Sequence, residues 1–276
     1  MATAVKENEA VQEMPLGDVR TAPPTGMDMG TIWGSLIGTI LIVIAILMGG
    51  DWVVFLNFHS FLLVFGGTIA TTFMAFSSKK IMVLLGVTIN AFKPDVRQPA
   101  DYIDEIMSLS NKYRAGGMKR LEQEESLIDN RFLKNGVGMI VDGYNAREIH
   151  EIMERELTAL GDRHNEGQKI LRFMAVQAPV FGMVGTVMGM IQMLQQLSDP
   201  SRIGPNMALA LTATFYGLLL NNFAITPIVA KLANRTESEK MLAKTIRVGV
   251  IGIHDRINPQ KIQRNMNSLL PPELQR

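Results

Sequence analysis

Two threonines set in stretches without charge, Thr186 and Thr214, are the first residues whose chemistry asks for an explanation. Residues 173–197 and 206–230 contain no Asp, Glu, Lys or Arg. A hydroxyl there is a neutral, hard oxygen ligand of the kind that suits alkali cations and water. Pro179 stands seven residues before Thr186, two helical turns away and on the same face. Proline has no amide hydrogen, so Pro179 frees the carbonyl of Ala175, and Pro227 frees that of Phe223. Thr212, Asn221, Asn222 and Thr226 add further neutral oxygens to the second stretch. Gly182, Gly185 and Gly189 supply a small-residue face for close helix contact. Each residue also has a plain structural reading. Glycine and proline are frequent in membrane helices, and Thr214 can return its hydroxyl to Ala210 on its own helix. Two prolines in neighbouring stretches, each beside a threonine-bearing small face, favour an ion pathway. Such a path ordinarily needs a carboxylate. None lies in any charge-free stretch, so the acid must come from another polypeptide.

The elements that position these residues follow from charge patterning. Four stretches, 31–49, 58–76, 173–197 and 206–230, carry no Asp, Glu, Lys or Arg, and each has about the 20 residues that a helix needs to cross a bilayer. The expected fold is all-α: a polytopic membrane protein with four transmembrane helices and a large helical cytoplasmic domain. The overall balance of 27 Lys+Arg against 26 Asp+Glu excludes a basic nucleic-acid binder, and 47% hydrophobic residues exclude a disordered chain. Cysteine is absent, which removes disulfides, thiol catalysis and thiolate metal sites. The first apolar stretch follows an acidic leader (Glu7, Glu9, Glu13, Asp18, Asp28), the wrong sign for a secretory signal, and reads as a permanent span.

Orientation rests on the positive charges. The connection 50–57 has no Lys or Arg and 198–205 has only Arg202, whereas 77–169 carries fourteen and 231–276 carries nine. Basic segments stay inside, so both termini and the middle segment are expected in the cytoplasm. The expected organisation is a flexible tail (1–30), a first hairpin (31–76), a cytoplasmic helical domain (77–170), a second hairpin holding the ion path (171–230) and a cytoplasmic helical tail (231–276). Within the middle segment, 81–92 is too short to span and reads as an interfacial or buried helix. Pro94 and Pro99 break the chain, and Ile103, Ile106, Met107 and Leu109 mark a second helix. Ala115, Gly116 and Gly117 make a turn or hinge. From Ala146 an amphipathic pattern runs without proline into the third span, and the fourth span keeps a helical rhythm beyond Lys231 toward Pro259. His150 and Glu154 are spaced as neighbours on one helix face, but no third ligand or HExxH pattern accompanies them, and surface pairing is the expected role. No phosphate loop or nucleophile elbow is present, and an enzyme is not expected.

Several ordered motifs carry a family resemblance: residues 111–117 (NKYRAGG) through Leu121 and Glu122, residues 178–189 from Ala178-Pro179 to Gly189, Ile203-Gly204-Pro205, and residues 213–217 (ATFYG) with Pro227. From about Met29 to its end the chain resembles the larger membrane subunit of flagellar motor stators, the MotA/PomA family, related to the ExbB and TolQ energisers. The resemblance implies a ring of five such chains around two copies of a single-span MotB/PomB-type partner. That partner supplies a channel aspartate in the bacterial inner membrane, and cation flow turns the ring against the rotor protein FliG. It implies rotor contact through Arg114 and Glu122, with Glu125 matching a further acid. Where sodium-driven relatives have a lysine beside that arginine this chain has Ala115, which moves the expected load to Lys119 or Arg120. Without the resemblance these charges read as a solvated helix face. Sodium-driven members carry threonine at the places of Thr186 and Thr214, and proton-driven ones usually put alanine at that of Thr214. The expectation is therefore a translocated ion, sodium favoured over proton, with no resident cofactor and no nucleic acid. The alternative is a proton-driven energiser of the ExbB or TolQ kind, a group with three spans, an outside N-terminus and no rotor-charge motif.

Overall fold

The structure is a computed structural model that describes residues 29–50, 52–91 and 99–275. The leader expected as a flexible tail and the break at Pro94 lie outside the described residues. All regular structure among the described residues is helical. Three stretches, Trp52–Ala75, Ala146–Gln195 and Pro200–His254, are long and apolar enough to cross a membrane. The other expected crossing, 31–49, falls on α1 (Met29–Met48), a helix of 20 residues.

The second stretch is a composite rod. After a 3-10 turn (Trp52–Phe55), α2 (Phe58–Phe61) passes through a π-helical turn (Leu62–Gly66) into α3 (Gly67–Ala75). Asn57 caps α2 by accepting the Ser60 amide at 3.1 Å. A short α4 (Ser78–Ala91) follows, tied to the long helix below by the exposed ion pair Lys80–Glu166 at 3.0 Å.

Two long rods organise everything else. Helix α7 (Ala146–Gln195) runs 50 residues through Pro179 and through position 170, so its charged and apolar portions share one axis. It starts at a capping box in which Asn145 accepts the Glu148 amide while the Glu148 carboxylate accepts that of Asn145. Helix α8 (Pro200–Leu219) continues through a π-helical turn (Leu220–Ile225) into α9 (Thr226–His254). The turn sits immediately before Pro227. At its end the Thr226 amide reaches back to the Asn221 carbonyl, and this i−5 ladder widens the helix where the proline removes a donor.

Below the membrane portion, α5 (Pro99–Glu125), α6 (Arg131–Val141) and α10 (Pro259–Asn267) wrap the ends of α7 and α9. Their shared core contains Ile103, Ile106, Leu133, Met153, Ile253 and Met266, all essentially buried. Helix α5 kinks at Gly117, with φ 66 and ψ −160, a conformation in effect reserved for glycine. A second, smaller cluster (Leu84, Ile170, Leu171, Ile225, Leu232) packs where the rods leave the apolar zone. Glu154 on α7 pairs with Arg247 on α9, so it is committed between helices and does not join His150 in a metal site.

Candidate functional site

The α7–α8 contact is built from small residues on matching positions of both helices. Ala178, Gly182, Gly185 and Gly189 follow the same 4-3-4 spacing as Asn206, Ala210, Ala213 and Gly217 on the antiparallel partner. There is no room for anything larger. A Cβ at Gly185 would fall 2.3 Å from the Ala213 Cβ, and one at Gly189 would fall 2.8 Å from the Asn206 carbonyl. One at Gly217 would fall 2.7 Å from the Ala178 carbonyl and 3.1 Å from the Pro179 Cα, so α8 lies directly on the proline turn of α7. This backbone-close packing holds two apolar helices together where no hydrophobic effect acts between them.

Thr186 and Thr214 meet at the edge of that seam. Their hydroxyls are hydrogen-bonded to each other across the two helices. The Thr186 Oγ1 is 3.1 Å from the Gly182 carbonyl and 3.2 Å from that of Ala210. The Thr214 Oγ1 lies 3.4 Å from Gly182 O and 3.5 Å from Ala210 O. Each threonine thus shares its own i−4 carbonyl with the threonine opposite, and four neutral oxygens close into one cluster. Two protons serve the whole group, so lone pairs remain on the hydroxyls. Thr214 does not simply back-bond Ala210, because that contact is the longest of the set. Both threonines are half-buried. One side of the cluster is sealed by the glycine seam. Beyond it α7 shows Met183, Val187 and Met190, and α8 shows Leu211 and Leu218, all exposed apolar side chains. One chain therefore presents a wall with a neutral oxygen patch and does not enclose a channel.

Pro179 and Pro227 are also half-buried. Pro179 stands against Gly217 two turns from Thr186, whereas Pro227 lies beyond the π-helical turn. There Thr226 donates its hydroxyl proton to the Asn221 side-chain oxygen at 2.9 Å.

The charged candidates gather about the Gly117 kink. Arg114, Lys119, Arg120 and Glu122 are exposed, and Arg114, Lys119 and Glu122 make no ion pair among the described residues. Glu125 is half-buried, its Oε1 packed over the Gly138 backbone of α6. The residue that organises this region is one the sequence reading missed. Glu124 receives Lys112 Nζ at 2.7 Å and Arg120 at 3.4 Å, so Arg120 is partly committed to it. The hydrogen bond from Lys112 holds the Glu124 carboxyl below the usual carboxylate range, against the opposing effect of partial burial. The spacing from Arg120 to Glu124, i to i+4, was visible in the sequence; the Lys112 contact, folded back across the kink, was not. Among the described residues there is no cluster of three His, Cys, Asp or Glu side chains able to hold a metal.

A family model described as the MotA/TolQ/ExbB proton channel family matches residues 124–245, which take in α7, all but the last turns of α9 and the threonine pair. Across nearly its whole length the chain is similar to the chemotaxis protein PomA of Vibrio alginolyticus, at 32% identity over 88% of this chain and 96% of that one. The chain belongs to the MotA/PomA family. Another relative is the uncharacterized protein YtxD of Bacillus subtilis, 35% identical over 84% of this chain and 87% of its own length. The fold agrees with a chain in the solved structure of C. jejuni MotAB, with a TM-score of 0.82 and 26% identity over 91% of this chain and all of that one. Membership makes this a membrane-embedded subunit of a flagellar stator and not an enzyme. In family terms, the oxygen patch and the glycine seam fall inside the matched segment, and the Gly117 kink lies just before it.

Proposed function

We propose that this subunit carries cations, sodium in preference to protons, past the Thr186–Thr214 pair. A MotB/PomB-type single-span partner supplies the missing carboxylate, two copies of it inside a ring of five of these chains. The observation that carries the reading is the oxygen cluster at the edge of a sealed helix seam. The path cannot run between α7 and α8, where even a methyl group does not fit. It must pass along their outer surface, against another chain. Sodium is favoured because two hydroxyls and two carbonyls make a set of hard oxygen ligands, which a proton passed along titrating groups does not need. On entry the ion replaces the threonine–threonine hydrogen bond, and the partner's carboxylate balances its charge. Pro179 and Pro227 give the two helices the deformable turns that such a replacement requires. In this reading α1 completes four spans in the bacterial inner membrane with both termini in the cytoplasm. The exposed charges Arg114, Lys119, Arg120 and Glu122, with Glu125 beside them, meet FliG of the rotor. Weak surface pairs, worth about 0–1 kcal/mol each, suit contacts that form and break at every step.

The test is swimming speed against external sodium with a proton uncoupler present, in cells that rely on this stator. Speed that rises with sodium and survives the uncoupler is the expected result. Indifference to sodium would end the sodium assignment.

A further inference from the structure

Helix α8 carries hydroxyls on two opposite faces. Thr212 and Thr214 are two residues apart, about 200° around an α-helix. Thr214 faces α7, as do Ala210, Ala213 and Gly217. Leu209, Thr212 and Tyr216 share the far face, and that face is held by hydrogen bonds to Phe55, Asn57 and α2. The Ser60 Oγ lies 2.8 Å from the Thr212 Oγ1 and donates to the Leu209 carbonyl at 3.0 Å. The Thr212 hydroxyl is 2.7 Å from the Ala208 carbonyl. Ser60 and Thr212 are 0% and 5% exposed. One turn further along α8, the Tyr216 hydroxyl donates to the Phe55 carbonyl and accepts the Asn57 amide at 3.2 Å. Two separate polar ties thus fix the same face of one helix. Both are made by groups some 150 residues apart in sequence.

These ties are costly to place in an apolar zone unless satisfied, and costly to break once placed. Pure packing does not need them. The α7 seam is lined by glycine and alanine, which let the two backbones approach closely and keep larger side chains out, but it offers few directional contacts of its own. Beyond Leu219 the helix passes into the π-helical turn, a soft joint. The directional contacts that oppose a turn of α8 lie on its far side, at Ser60, Thr212 and Tyr216. The setting they hold is what aims Thr214 at Thr186.

We infer that Ser60, Thr212 and Tyr216 are positioning residues for the ion pathway. They touch no ion themselves and act by holding α8 at the rotation that completes the four-oxygen cluster on its opposite face. The inference rests on the stator reading and extends it to residues outside the cluster.

The test uses the full chain with its partner, expressed in cells whose own stators are deleted. Speed is measured against whichever ion drives the wild-type complex, and motor-incorporated stators are counted alongside. Thr212→Val keeps the shape and removes the oxygen, whereas Thr212→Ser keeps the oxygen. Expected is a rise of about 2- to 10-fold in the ion concentration giving half-maximal speed for Thr212→Val, the equivalent of one net hydrogen bond. Stator number should stay at the wild-type level, and Thr212→Ser should restore the wild-type value. A merely structural role would lower stator number and leave the half-maximal concentration in place, and that result overturns the inference. So does a Thr212→Ser variant as impaired as Thr212→Val. If Thr212→Val does not reach the membrane, Tyr216→Phe decides, since it removes one oxygen and no volume: a shift in the same direction supports the inference, and a wild-type half-maximal concentration overturns it. A wild-type complex that turns no motor under any ion gradient defeats the stator reading itself, and that outcome is read before any variant is compared.

Discussion

Substituting Gly185 by alanine adds one methyl group at the tightest point of the α7–α8 seam. The new Cβ would lie 2.3 Å from the Ala213 Cβ and 3.1 Å from Leu63 Cδ2. Ordinary carbon–carbon contact begins near 3.5 Å, so the helices must part by roughly 1 Å. Overpacking of this kind costs about 1–3 kcal/mol, a factor of about 5 to 150 in the equilibrium between packed and unpacked states. The opening is also felt next door. The Thr186 hydroxyl sits 3.2 Å from the Ala210 carbonyl across the seam, and a further 1 Å or so takes that contact out of hydrogen-bond range. Gly204→Ala on α8 is the control, because a Cβ there meets nothing within 4 Å. Both substitutions gain the same intrinsic helix preference, about 1 kcal/mol, which cancels in the comparison. The assay is thermal unfolding of the purified complex together with motor torque. Gly185→Ala should melt below Gly204→Ala and turn motors more slowly. Equal melting temperatures and equal torque would refute the close-packed seam.

Gly117→Ala places a Cβ in a backbone region open in effect only to glycine and should destabilise the α5–α6–α10 portion by about 1–3 kcal/mol, read as earlier loss of amide protection around the kink. Reversing Arg114 or Glu122 alone should lower torque or stator recruitment and leave ion dependence unchanged; normal swimming of the double reversal Arg114→Glu with Glu122→Arg would count against rotor contact. Glu124 has a folded-state pKa below its unfolded value, so its contribution is fully present above the ordinary glutamate value of about 4.3 and is lost as pH falls through the lowered one. Amide protection of the segment after the kink should therefore drop on acidification in the wild-type chain and be low and flat with pH in Glu124→Gln; an unchanged acid response in Glu124→Gln would exclude this carboxylate as the cause.

The rods were legible because helical rhythm is a local property. No proline interrupts the amphipathic pattern from Ala146 into the third apolar stretch, and α7 follows it for 50 residues. The glycine face was legible for the same reason, since Gly182, Gly185 and Gly189 share one side of any helix. The adjacent glycines at 116–117 announced a break that the structure places at Gly117. What escaped were contacts between distant segments. Lys112 reaches Glu124 only because α5 folds back at the kink, and Ser60 meets Thr212 across 152 positions. The π-helical turns escaped as well. Pro227 signalled a lost donor, but whether a helix answers with a kink, a water or a widened turn depends on its neighbours.

The uninterrupted helix from Ala146 to Gln195 turns geometry into amplification. Thr186 and Ala146 sit 40 residues apart on one shaft, about 60 Å at 1.5 Å per residue. A tilt of 5° about the oxygen patch swings the far tip by about 5 Å over that length. An ångström-scale adjustment to a passing cation would thus reach the base of the molecule as a stroke the size of a side chain, provided the turn at Pro179, the one proline along the shaft, passes the tilt on.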